Sequence, residues 1–167
     1  MVTSSSRPAT GKATNGSGKA VPVLDPAVAA LWRDMLTSHR RTLVALEEDL
    51  SSRTGLSLAQ YDVLLHLHEA PEHRLRMSEL SQAVLFTTSG LTRLIDRMEA
   101  AGWVERGRSS DDRRGVSATL TAAGAGMLKS AAAVHLEGVQ RMFTRHLEPA
   151  EIPVLAAAFA RLNAATT

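Results

Sequence analysis

Thr87-Thr88-Ser89-Gly90-Leu91-Thr92-Arg93-Leu94-Ile95-Asp96-Arg97-Met98-Glu99-Ala100-Ala101 is the stretch whose two sides differ most sharply in chemistry. Leu91, Leu94, Ile95 and Met98 fall at i, i+3, i+4 and i+7, which a helix stacks into one apolar stripe. Ser89, Thr92, Arg93, Asp96 and Arg97 then share the opposite side. Gly102 follows, the residue type that most readily takes the left-handed conformation closing a helix. The spacing predicts a helix over 87–101 with its apolar stripe turned inward. Directly after it, Trp103-Val104-Glu105-Arg106 and Val116-Ser117-Ala118-Thr119-Leu120 read as short strands around a polar loop from Gly107 to Gly115. Helix and charged hairpin are therefore expected side by side.

Such a helix has the properties needed to enter the major groove of a DNA duplex: a buried apolar face, outward donors, and small residues at its leading end. Arg93 and Arg97 lie one turn apart, and each can clasp a guanine edge or a phosphate with its planar fork. Thr87, Thr88, Ser89 and the helix N-terminus suit phosphate contacts, with Thr92 alongside. The blander alternative is an ordinary surface helix with solvated charges. The hairpin weighs against it. Arg106, Arg108, Arg113 and Arg114 gather with Asp111 and Asp112 on a ribbon too small to bury anything alone. Its cations are expected to meet flanking phosphates or the narrow minor groove, Arg113 and Arg114 foremost. Asp112, which phosphate would repel, is expected to brace an arginine.

Outward from this centre, Ser78 caps a short helix carrying Leu80 and Val84. Ser57 opens a Ser-x-x-Gln capping box that leads Tyr61, Leu64, Leu65 and Leu67 into a helix stopped by Pro71. Asp25-Pro26 starts a long first helix, with Val28, Leu31, Trp32, Met35, His39, Leu43, Leu46 and Leu50 at helical spacing as far as Thr54-Gly55. On the other side, Thr121 caps an Ala-rich helix to about residue 146. A last helix runs from near Pro149 or Glu151 to about 163, its start blurred by Pro153. Residues 1–22 hold almost nothing to bury and are expected to form a flexible, weakly basic tail. The expected fold is mainly α: a lobe over 56–121 with a two-stranded β wing, flanked by helices over 25–54 and 122–165 within one domain, 23–165. The apolar stripes of those flanking helices exceed what the small lobe can cover, so pairing with a second copy is expected.

Composition closes several routes. The 167 residues are 44% hydrophobic with only 4% aromatics, which favours a helical core. Net charge is only +2, but all of the 19 basic residues except Lys12, Lys19 and Lys129 are arginine, and the cations cluster centrally. With no cysteine, thiol redox sensing and disulfides are excluded. No apolar run approaches the roughly 18 residues of a membrane span, and a cytoplasmic protein without membrane contact is expected. His66, His68, Glu69 and His73 raise metal binding, yet His66 and His68 sit two apart on a helix and face different ways, so no metal is assigned. No phosphate loop, nucleophile elbow or fixed carboxylate pair supports catalysis, so no catalytic residue and no cofactor are assigned. The remaining rival to a DNA binder is a helical protein-interaction module.

Met77-Ser78-Glu79-Leu80-Ser81, the 87–99 stretch, Gly102-Trp103-Val104-Glu105-Arg106, and Asp111-Asp112-Arg113-Arg114-Gly115-Val116 running into Leu120-Thr121-Ala122-Ala123-Gly124 together resemble the MarR family of bacterial winged-helix regulators. The wing is the most specific part, similar to the family's Asp-x-Arg signature at Asp112 and Arg114. The resemblance covers about 25–163. It implies a homodimer held by the first and last two helices, binding pseudo-palindromic double-stranded DNA as a transcriptional regulator, in the main a repressor. It also implies a small aromatic or phenolic effector that releases DNA, in a cleft between the dimerisation helices and the lobe. Trp32, His39, Tyr61, Asp62, His66 and His135 are the polar or aromatic residues that would line it; each also has a plain packing role open to it, Trp32 as core above all.

Overall fold

The computed structural model describes residues 24–84, 88–108 and 116–165, with the side chains of Thr88, Ser89 and Arg108 outside that description. The expected N-terminal tail lies outside it too. In chain order the elements are α1 (Pro26–Thr54), α2 (Leu58–Glu69), β1 (Arg74–Arg76), α3 (Met77–Ala83), α4 (Thr88–Ala100), β2 (Val104–Arg108), β3 (Val116–Leu120), α5 (Ala122–Met142) and α6 (Glu151–Ala165).

The helix ends form where the local chemistry asks for them. Asp25 accepts from the Ala27 and Val28 N–H groups at 2.9 and 3.3 Å, and Gly55 closes α1 at φ 74°. In α2 the Ser57 hydroxyl accepts from the Gln60 N–H at 3.2 Å, while the Gln60 side chain accepts from the Ser57 N–H at 2.9 Å. Glu47 of α1 adds a carboxylate to the same end, accepting from the Leu58 N–H at 2.6 Å. Ser78 is not the cap of α3. The helix starts at Met77 behind Arg76, whose N–H donates to Glu79 at 2.9 Å. Strand β1 holds Arg76 extended, so the helix begins as soon as the pairing ends.

The sequence pattern did not announce that strand. Three residues are too few to display alternation. Strand order is β1-β3-β2, all antiparallel, with Arg74 opposite Thr119, Arg76 opposite Ser117, and Val104 opposite Leu120. The ribbon is thereby joined at its root to the lobe, where Val104, Ala118 and Leu120 are buried. Ser117, also buried, donates its hydroxyl to the Gly107 carbonyl at 3.3 Å.

The core joins Leu50 and Leu56, Val63, Leu64 and Leu67, Leu80, and the whole expected stripe of α4, Leu91, Leu94, Ile95 and Met98. α5 enters over the sheet: Thr121 accepts from the Gly124 N–H at 3.0 Å and donates to the Gly102 carbonyl at 2.7 Å. A Cβ on Gly124 would lie 2.1 Å from the Trp103 carbonyl oxygen, so only glycine permits this approach. Further along, Gly138 lets α5 cross α1 closely, with Arg53–Glu137 at 2.6 Å and Arg141–Asp49 at 2.7 Å bracing the crossing. α5 stops at Met142, before the expected end, and a 3-10 turn over Thr144–His146 follows. α6 starts at the later of its expected positions, which leaves Pro153 in the first turn, where no N–H is needed.

The stripe of α1 is only partly buried. Leu46 and Leu50 reach the core, whereas Leu31 is 70% and Trp32 52% exposed, so Trp32 is not a core residue within one chain. α6 contributes no buried residue at all.

Candidate nucleic-acid interface

Burial of Leu91, Leu94, Ile95 and Met98 fixes the rotation of α4 and leaves Thr92, Arg93, Asp96 and Arg97 exposed on the other side. α4 ends in a closing motif in which the Gly102 N–H donates to Glu99 and the Trp103 N–H to Met98, both at 2.9 Å, with Gly102 at φ 74°. This reversal sends the chain straight into β2, so helix and ribbon emerge from one corner of the lobe. Beside the outward face an open cavity of about 610 Å³ is lined by Ser57, Ala59, Gly90, Arg93, Leu94, Asp96 and Arg97. Two of the first N–H groups at the α2 end of this hollow, on Ser57 and Leu58, are already taken by Gln60 and Glu47. Its cationic character therefore comes from α4.

Arg106 departs from expectation. Read as one of the wing cations free to meet DNA, it is turned back onto α4 instead. Its guanidinium bonds the Asp96 carboxylate and donates to the Thr92 carbonyl at 3.0 Å, with Glu99 at 3.7 Å. Its own N–H donates to Glu99 at 3.1 Å. Sequence reading missed this role because Asp96 and Glu99 precede Arg106 by a helix end and a turn, and only the chain reversal at Gly102 brings them together. Thr87, Asp112, Arg113 and Arg114 lie outside the described residues. So do the side chains of Thr88 and Ser89, whose backbone opens α4.

The residues expected to line an effector cleft divide. Tyr61 of α2 stacks on His135 of α5, ring centroids 4.4 Å apart, and His66 Nε2 lies 3.6 Å from Asp62. Burial pushes the Asp62 carboxyl up, opposed by His66 and His135, and burial pushes the His135 imidazole down, opposed by Asp62. Burial also raises the Tyr61 phenol, with Asp62 and Glu69 adding to it. His135 Nδ1 is buried without a hydrogen-bond partner. Trp32 and His39 take no part in this stack or ion pair and sit exposed on α1. Two further histidines pair with each other: His68 stacks on His73 at 5.2 Å, and His73 Nδ1 donates to the His68 carbonyl at 2.8 Å. His66 and His68 thus face different partners, as their spacing requires.

A model of the MarR family matches residues 54–115. The chain is similar to the HTH-type transcriptional regulator PrsX of Escherichia coli, 40% identical over 70 residues, a match spanning 42% of each chain. It thus covers well under half the length of that curated relative. Among solved structures it resembles AbsC, a MarR family transcriptional regulator from Streptomyces coelicolor, with TM-score 0.81 and 32% identity over 87% of this chain and 98% of that one. It also resembles Sco3205 from the same organism, crystallised in complex with DNA, with TM-score 0.80 and 28% identity over 86% and 90% of the two chains. No helix among the described residues is long and apolar enough to cross a membrane.

Proposed function

Since this chain belongs to the MarR family, whose members are transcription regulators rather than enzymes, we propose that it binds double-stranded DNA sequence-specifically as a homodimer. Its operator is a pseudo-palindrome, and occupancy represses transcription. The observation that carries this reading is the side of α4 left outward by its buried stripe. Arg93 and Arg97 stand there one turn apart beside the root of a β ribbon, the geometry a reading helix and its wing require. Arg113 and Arg114 extend the interface along the duplex, and Thr87, Thr88, Ser89 and Thr92 contact its backbone. Sco3205, of which a DNA complex was crystallised, has a similar fold and supports the same reading.

The test is selection of duplexes from a random pool by the full chain, followed by a salt titration of the tightest sequence. An inverted repeat should emerge, with affinity falling steeply as salt rises. Retention of no sequence, together with a stable dimer, would instead favour a protein-interaction module. The finer proposal is an effector site at Tyr61, Asp62, His66 and His135. The buried, unpartnered His135 Nδ1 supports it, because a hydroxyl or carboxylate on a small ring would give that nitrogen its missing bond. Hydroxybenzoates should quench binding of the selected duplex in the wild type and not in Tyr61→Ala.

A further inference from the structure

Arg106 stands at the root of the ribbon, the point from which β2 runs on toward the polar segment 109–115. Its side chain is only 26% exposed, against 51% for Asp96 and 42% for Glu99, so the cation is withdrawn from solvent while its partners keep one side open. Guanidinium-to-carboxylate and guanidinium-to-carbonyl bonds and a backbone N–H to Glu99 all cross from β2 to α4. A lone surface ion pair contributes little, but a planar fork gripping a carboxylate and a helix carbonyl together also fixes direction. We infer that Arg106 is a positioning residue that locks the ribbon to α4 at one angle, without touching DNA itself.

The physical need is plain. Val104, Ser117, Ala118 and Leu120 are buried and β1 pairs with 117–119, but β2 itself has only Val104 buried among its described residues and pairs on one side alone, and a two-stranded ribbon continuing past that root is marginal. A ribbon free to swing would lose entropy on docking and weaken the complex. Asp96 also stands three residues after Arg93 and next to Arg97, where a bare carboxylate would repel phosphate. Arg106 neutralises it from behind. The inference rests on the DNA-binding reading for its consequence, while the lock itself exists in the free protein.

The experiment compares wild type with Arg106→Lys, Arg106→Met, Asp96→Ala and the Arg106→Met/Asp96→Ala double variant, all as full chains. In the free proteins, amide hydrogen exchange over 104–108 and 116–120 should quicken about 10-fold or more in every variant, with the thermal midpoint nearly unchanged. On the selected duplex each single variant should bind about 10-fold more weakly, the worth of one or two charge-assisted bonds. The double variant should be no worse than either single one, and the salt slope should stay as in wild type. Lys keeps the charge but not the fork, so Arg106→Lys should not rescue. The sign for Asp96→Ala is the sharpest discriminator, since a purely electrostatic role predicts tighter binding once that negative charge is gone. Tighter binding there, unchanged ribbon exchange, or a salt slope that falls by about 1.8 per dimer in Arg106→Met and is restored by Lys would each overturn the inference. A wild type with no sequence preference sinks the DNA reading, whereas the exchange comparison still decides the lock.

Discussion

At the scale of single residues, α4 and the strand that follows it show two kinds of arginine chemistry. Arg106 is committed to Asp96 and the Thr92 carbonyl, while Arg93 and Arg97 stand exposed. Arg93→Ala should weaken the preferred duplex by about 1–3 kcal/mol and relax the preference at one position of each half-site, as loss of a bidentate base contact does. Equal losses on preferred and random duplexes, read by fluorescence anisotropy, would move Arg93 to the phosphate contacts. His135 supports a second prediction. Its folded pKa lies below the ordinary 6.5 because burial disfavours the imidazolium. In the window beneath 6.5 the unfolded chain therefore binds more protons at this site than the folded one, and stability rises with pH there. Asp62 acts with the opposite sign at lower pH, because its folded pKa is raised: its contribution is present below 3.8 and is lost as pH rises through the folded value. Thermal midpoints measured from pH 7 down to 5 should show a smaller acid-side fall in His135→Gln than in wild type. An identical fall in both would remove His135 as its source.

Among the elements, the junction of α4, β2 and α5 depends on close backbone approach. Thr121 bonds the Gly102 carbonyl, its N–H donates to the Trp103 carbonyl at 3.1 Å, and Gly124 leaves no room for a side chain against that same carbonyl. Because the obstacle is backbone rather than the tip of a flexible side chain, Gly124→Ala must shift α5 or the start of β2. A cost of about 1–3 kcal/mol is expected from such overpacking, measurable by urea unfolding. Gly126→Ala, where a Cβ would meet nothing within 4 Å, should cost nothing or stabilise α5 slightly. Both variants behaving alike would mean that the junction yields without strain.

Over the whole molecule the dominant feature is apolar surface that one chain does not cover. Leu31 and Val154 are 70% and 67% exposed, and Trp32, Leu36, Phe159 and Leu162 are exposed with them on α1 and α6, as is Phe143 just past α5. Apolar side chains left exposed along the first and last helices are what a second copy would bury. Light scattering at micromolar concentration should give a dimeric mass. The double variant Leu31→Glu/Val154→Glu should give a monomer with unchanged helical circular dichroism and much weaker binding to an inverted repeat, because a half-site alone remains. A monomeric wild type would remove both the pairing and the expectation of a palindromic site.

The local terms were legible before any coordinates. Asp25, Ser57, Thr121, Gly55 and Gly102 mark helix ends through their own side chains or through the left-handed backbone that glycine tolerates, and all of them act where their spacing places them. The split of α4 into a buried stripe and an exposed polar side was equally readable, since a 3.6-residue period depends on neighbours three and four apart. Long-range pairings were not. β1 exists because β3 offers its free edge, and Arg106 turns inward because a chain reversal sets Asp96 and Glu99 before it. The stack of Tyr61 on His135 joins residues of α2 and α5 that no periodicity relates. Which part of the α1 stripe is buried was likewise decided in three dimensions, since Leu46 and Leu50 lie where α5 and the lobe close over them while Leu31 and Trp32 lie beyond that reach. Capping residues and short spacings encode most helix starts and the glycine-closed ends, whereas the partner of a strand edge, a charge or an apolar face depends on how those elements are brought together.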